Sequence, residues 1–199
     1  MGNMDLRSIK FGVYVLSLVL ALPACRQPGH TPKPRGYFRI ELPEKAYQPY
    51  GGACPFSFSI PVYADVVPDK SAEAHPCWMD LDFPQFNAKL HLSYWPVRSE
   101  NMLHELMEDS RELAYKHTVK ATAISEEMIV RPEKDIYGLL YRIEGNTASS
   151  LQFFLTDSSR HYLRGALYFH EEPRLDSIRP VLDFIRQDID SLVTSFQWK

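Results

Sequence analysis

The sequence lacks any excess of positive charge: 22 lysines and arginines stand against 25 aspartates and glutamates, a net charge of −3. The electrostatic footprint of a nucleic-acid binder is therefore missing, and no nucleic acid is expected as a partner. Internal repeats and low-complexity tracts are also missing. So are the short motifs of several chemistries: there is no G-x-S-x-G elbow, no P-loop, no H-E-x-x-H and no C-x-x-C. Seven histidines are scattered, at His30, His75, His91, His104, His117, His161 and His170. None has the spacing of a metal pair on one helix face, so neither a metal nor another cofactor is expected. What is present suits one globular domain. The 199 residues are 45% hydrophobic and 24% charged, and a core of that size stands without metal or dense disulfides.

Long apolar runs are scarce too, with one informative exception. Arg7 and Lys10 precede an apolar run from Phe11 to Leu22. As a helix it rises only about 18 Å, short of a hydrocarbon core of about 30 Å. A secretory signal peptide fits better than a span, with Met1 or Met4 as its start. The run ends in Leu22-Pro23-Ala24-Cys25, which resembles the lipobox of bacterial lipoproteins: Leu at −3, a small residue at −1 and Cys at the cut. Pro23 departs from the usual residue at −2. The resemblance implies cleavage between Ala24 and Cys25, a diacylglyceryl group on the Cys25 thiol and a palmitate-class chain on the freed amine. Two or three chains anchor firmly, since each buried CH₂ is worth roughly 0.8 kcal/mol.

The residues after Cys25, RQPGHTPKPRG, hold three prolines and three cations. Proline favours extended, semi-rigid chain. The expected organisation is a signal peptide over 1–24, a lipidated basic stalk over 25–36 and one folded domain over 37–199. Three cysteines are odd for an exported chain. With Cys25 lipidated, Cys54 and Cys77 remain as an even pair in an oxidising compartment. One disulfide is expected, worth roughly 3 kcal/mol in the chain-entropy account.

Alternation dominates the first half of the domain. The runs YFRIEL, FSFSIPVYADV, WMDLDF and KLHLSYW place Phe38, Ile40 and Leu42; Phe56, Phe58, Ile60 and Val62; Met79, Leu81 and Phe83; and Leu90, Leu92 and Tyr94 on inward faces. Pro61 predicts an edge or a bulge in the second run. Ser99 then caps a helix with the stripe Leu103, Leu106, Met107 and Ala114, its outer face solvated by Glu100, Glu105, Glu108 and Asp109. Four more strands follow, near 122–130, 137–144, 150–156 and 162–169. A closing helix begins at a cap on Asp176 or Ser177. Its stripe runs through Val181, Leu182, Ile185, Ile189, Leu192, Val193 and Phe196, with Arg186 and Asp190 supporting the outer face. Hairpin-joined strands form an antiparallel sheet, and two amphipathic helices must bury their stripes against it. The fold class is α+β. The layout resembles the PsbP/Mog1 type of α/β/α sandwich, which carries no function with it.

Candidate chemistry is thin. Asp80 and Asp82 share a strand face near Trp78, and Trp95 is close in the pattern. Paired carboxylates beside aromatics are the pattern of glycan binding or cleavage; solvated side chains on a half-buried strand are the plainer reading. Arg111, Lys116, His117 and Lys120 gather at the end of the first helix, where cations suit the dipole. No nucleophile, base and oxyanion donor come together. An enzyme is not expected, nor a small-molecule substrate.

Three stretches carry a closer likeness: PKPRGYFRIELPEKAYQ, EDSRELAYKHTVKA and YGLLYRIEGNTASSLQFFLTDSSRHYLRGALYF. They resemble the gliding-motility lipoprotein GldD family of Bacteroidota, over nearly the whole chain after the leader. The resemblance implies an outer-membrane lipoprotein needed for gliding, acting beside the type IX secretion machinery with other envelope proteins as partners. Only Cys25 carries over with a chemical role. Surface lipoproteins of that phylum usually show an acidic run after the cysteine; RQPGH has none, which predicts the periplasmic face.

Overall fold

The structure, a computed structural model, describes residues 39–71, 73–170 and 175–199. The signal peptide, Ala24, Cys25, the stalk and Phe38 lie outside the described residues.

Seven antiparallel strands make the main sheet. These are β3 (Asp65–Pro68), β4 (Met79–Phe83), β5 (Ala88–Pro96), β6 (Ala121–Arg131), β7 (Ile136–Gly145), β8 (Ser149–Thr156) and β9 (His161–Phe169), in the order β3-β4-β5-β9-β8-β7-β6. Helix α1 (Glu100–Tyr115) covers one face and α2 (Leu175–Ser195) the other. A small sheet lies on the α2 side, formed by β1 (Tyr47–Tyr50), β2 (Phe56–Pro61) and β10 (Gln197–Trp198) in the order β1-β2-β10. The expected α+β architecture with helices on both faces of an antiparallel sheet is the one found.

The period-2 pattern builds the layers. Strand β8 is buried along its whole length. Leu151, Phe153 and Leu155 join the α2-side core, while Phe154 joins Tyr141, Ile143, Tyr162 and Leu103 beneath α1. A central strand covered on both faces reads as a continuous apolar run. Glycine is needed at one place on this strand's neighbour: a Cβ on Gly165 would fall inside the Phe153 ring. The β4–β5 hairpin turns through Pro84–Phe86, with Asn87 in the left-handed conformation. Ser99 caps α1 by accepting the Met102 N–H at 3.2 Å.

Several expectations are corrected. Residues 39–46 form no strand, and Ile40 and Leu42 are exposed. Alternation there finds no ladder partner, and Pro43 removes a donor. The strand comes later, at Tyr47–Tyr50. The run 56–66 is split: a turn closed by Ala64 N–H to the Pro61 carbonyl at 3.1 Å sends β2 and β3 into different sheets and leaves Val62 exposed. Pro61 ends β2, which is the middle strand of its sheet and not an edge. Helix α2 begins by Leu175, so Asp176 lies in its first turn. Its Leu175 N–H is taken by the Asn146 side chain at 2.8 Å. Arg186 and Asp190 reach past each other to β7: Asp190 to Arg142 at 2.8 Å and Arg186 to Glu144 at 3.0 Å.

One polar cluster fastens the beginning of the described chain to α2. Asp188, 1% exposed, is the one charged residue that counts as buried among the described residues. Lys45 Nζ donates to its Oδ1 at 2.7 Å, to Tyr63 Oη at 3.0 Å and to the Phe184 carbonyl at 2.8 Å. Tyr47 Oη donates to Oδ1 at 3.0 Å and Tyr63 Oη to Oδ2 at 2.7 Å. The Lys45 ammonium also sits 3.2 Å from the centroid of the Phe184 ring, a desolvated cation–π contact. Burial pushes the Lys45 ammonium below its usual pKa, and hydrogen bonding and charge from Asp188 pull the other way. Burial, then Asp188, raises the Tyr63 phenol far above the ordinary range.

Removing one partner of such a pair strands the other. Lys45→Met is expected to lower the unfolding free energy by about 3 kcal/mol. Adding Asp188→Leu should restore part of that loss, because the buried charge goes too. Urea unfolding of the two single variants and the double checks this; a double variant as weak as the sum of the two singles contradicts the pairing.

Candidate functional site

The one residue given a chemical role, Cys25, lies outside the described residues together with its cleavage partner Ala24. What the structure shows is where the chain that follows it is fixed. Residues 39–46 run over the surface, touching Gln85 through the Glu41 carbonyl at 3.0 Å. They are then held at Lys45 and Tyr47 by Asp188. Any tether on the amino-terminal side thus joins the domain at a charged, hydrogen-bonded clamp backed by the β1–β2 ladder.

Cys54 and Cys77 form a disulfide, with Cα atoms 5.6 Å apart. Cys54 precedes β2 and Cys77 precedes β4, so the bond joins the small sheet to the large one. The expected pairing is the one present.

The residues of the glycan reading are brought to one region, and Asp80, Trp78 and Trp95 have protein partners there. Asp80 and Asp82 lie on the β4 face turned away from the α2-side core, alternating with the buried Met79, Leu81 and Phe83. Asp80 Oδ1 lies 2.6 Å from His91 Nδ1, and its Oδ2 lies 3.0 Å from Lys89 Nζ, both across the β4–β5 pairing. The Trp78 indole N–H donates to the Tyr94 carbonyl at 2.9 Å. Its ring meets Trp95 edge-on, centroids 5.0 Å apart. These are the cross-strand pairs that stabilise a sheet surface.

The cations at the end of α1 disperse. Arg111 lies over the Tyr115 ring at 5.1 Å, and Lys116 pairs with Glu112 at 3.3 Å. His117 is half-buried against Arg164, whose guanidinium reaches Gln152 at 2.6 Å. Among the described residues no group of His, Cys, Asp and Glu is placed to hold a metal ion, and no helix is long and apolar enough to cross a membrane.

Sequence reasoning missed the Lys45–Tyr47–Tyr63–Asp188 cluster, although it left a signal. Asp188 falls inside the apolar stripe of α2, between Ile185 and Ile189. A carboxylate there demands donors from elsewhere in the chain.

Two histidines give the fold a pH dependence. Burial holds His117 below the ordinary imidazole pKa, and the Arg164 charge adds to it. Burial also lowers His161, with Asp157 opposing and Arg160 adding; Tyr94 Oη lies 2.8 Å from its Nδ1. Folding favours both neutral forms, so the unfolded chain takes up protons first, from about pH 6.5 downward. Their contribution is complete above that pH and is lost as pH falls through the folded-state values. The urea midpoint is therefore expected to fall between pH 7 and pH 5, less steeply in a His161→Gln variant. Parallel slopes for the two proteins contradict this assignment.

No curated protein matches the chain. Among solved structures it is similar to the solution structure of cyanobacterial PsbP (CyanoP) from Synechocystis sp. PCC 6803. Identity is 14%, the match covers 81% of this chain and 98% of that one, and the TM-score is 0.44. A family model described as gliding motility lipoprotein GldD matches residues 27–198, from just after Cys25 to the penultimate residue. The chain therefore belongs to the gliding motility lipoprotein GldD family.

Proposed function

We propose that this lipoprotein is acylated at Cys25 and held at the periplasmic face of the outer membrane. There it serves as a non-catalytic interaction or assembly component beside the gliding and type IX secretion machinery. The family match over residues 27–198 carries the reading. Two further observations support it. The sequence Leu22-Pro23-Ala24-Cys25 offers a thiol for lipid. Lys45 and Tyr47, early in the described chain, are pinned to the core by a clamp suited to hold a domain on a tether. Acyl chains supply the membrane affinity, and a stalk of proline-rich chain sets the distance.

A glycan-binding or glycan-cleaving role has less to rest on. Asp80 already holds His91 and Lys89, and Trp78 spends its indole N–H on Tyr94. Enzymatic work needs groups aimed at a substrate, and Asp80 and Trp78 are turned to protein partners.

Crosslinking in intact cells followed by purification of the full chain is expected to recover specific envelope proteins. External protease is expected to spare the chain until the outer membrane is permeabilised. Recovery of no envelope partner contradicts the interaction role, and digestion in intact cells contradicts the periplasmic face.

A further inference from the structure

Strand β6 ends the seven-stranded sheet and pairs with β7 alone among the described residues. It is eleven residues long, free of internal proline, and regular from Ala123 to Arg131. Proteins usually shorten, twist or cover such an edge. On its α1 face, Met128 is 78% exposed and Val130 57%. Both line an apolar groove of about 300 Å³ with Leu103, Met107, Leu139 and Phe154. On its other face Glu127 lies 3.6 Å from Arg142, and Arg131 Nη1 donates to the Val193 and Thr194 carbonyls at 2.7 and 3.1 Å.

The residue order of β6 tests what can add to it. Two copies joined antiparallel about a two-fold axis must set residues of one sheet face opposite each other. The axis therefore passes through a residue, not between two. An axis at Glu126 or Glu127 sets like carboxylates directly opposite. One at Ser125 or Met128 sets both carboxylates against uncharged, mostly apolar neighbours. One at Ile129 sets Glu127 opposite Arg131 and Met128 opposite Val130, each twice by symmetry. Pro132, without an N–H, ends the ladder at that point. This register joins opposite charges and matches the exposed apolar side chains in a single step.

We propose that two copies of this chain pair through β6 about a two-fold axis at Ile129, making one continuous sheet with both apolar grooves on the same face. The pairing does not depend on the function proposed above. Anchoring both copies in one membrane would strengthen it, since confinement raises their effective concentration.

The test uses the full chain in its native membrane. Cys54 and Cys77 are bonded to each other, so an added cysteine has no disulfide partner inside the described domain. Cells carrying a Met128→Cys copy and a differently tagged Val130→Cys copy are oxidised, and the mixed dimer is quantified. That dimer is expected at least tenfold above the product of Met128→Cys with Ser125→Cys, which lies out of register. It is expected to fall at least tenfold when Glu127→Lys is added, since Lys then faces Arg131. All three sites substituted by cysteine are exposed, so loss of fold does not account for a missing product. No mixed dimer, equal yields from the two cysteine pairs, or a Met128→Cys bond to a different protein overturns the proposal.

Discussion

A carboxylate without water must be surrounded by donors, and in this protein that requirement joins the two ends of the domain. Asp188 sits in the apolar stripe of α2, and its oxygens are met by Lys45, Tyr47 and Tyr63. No donor for it comes from a neighbouring turn of its own helix. The separation along the chain reaches 143 residues for Lys45. Docking of helix α2 is thereby coupled to residues 45–63. Desolvation of the ion pair is the cost of this arrangement. The cysteine pair adds a covalent link between the same small sheet and β4.

The position of that clamp matters for a tethered protein. In a lipoprotein the membrane acts on the domain through the amino-terminal segment. Here that segment meets the core through a buried ion pair, two phenol hydrogen bonds and an antiparallel ladder. The open edge is β6, held to helix α2 by Arg131, and the apolar groove lies on its α1 face. Anchor and exposed edge thus belong to different elements. Attachment through one leaves the other available, which is the arrangement an interaction protein needs.

Much of the large sheet is legible in the sequence because alternation is a local signal with a period of two. Met79, Leu81 and Phe83 of β4, and Leu90, Leu92 and Tyr94 of β5, point inward as their spacing requires. Ser99 is legible for the same reason, since a cap is made within three residues. The disulfide follows from counting. What escapes is set over long range. Tyr47–Tyr50 has no alternation and becomes a strand because β2 lies beside it. Ile40 and Leu42 alternate correctly and stay exposed because no strand lies beside them. The turn at Pro61–Ala64 divides a run that reads as one strand. Arg186 and Asp190 are spaced to pair along the helix, yet ion partners on β7 win. In the candidate glycan site the residue types are legible, and their engagement with each other is not, since it depends on the β4–β5 register.

The central claim is that lipid on Cys25 moors a folded α+β domain to the envelope. Intact-mass analysis of the chain purified from its own membranes tests this most directly. The account predicts a polypeptide that begins at Cys25 and is heavier than its sequence by a diacylglyceryl group and an acyl chain. A chain that retains residues before Cys25, or one whose Cys25 carries no lipid, contradicts it.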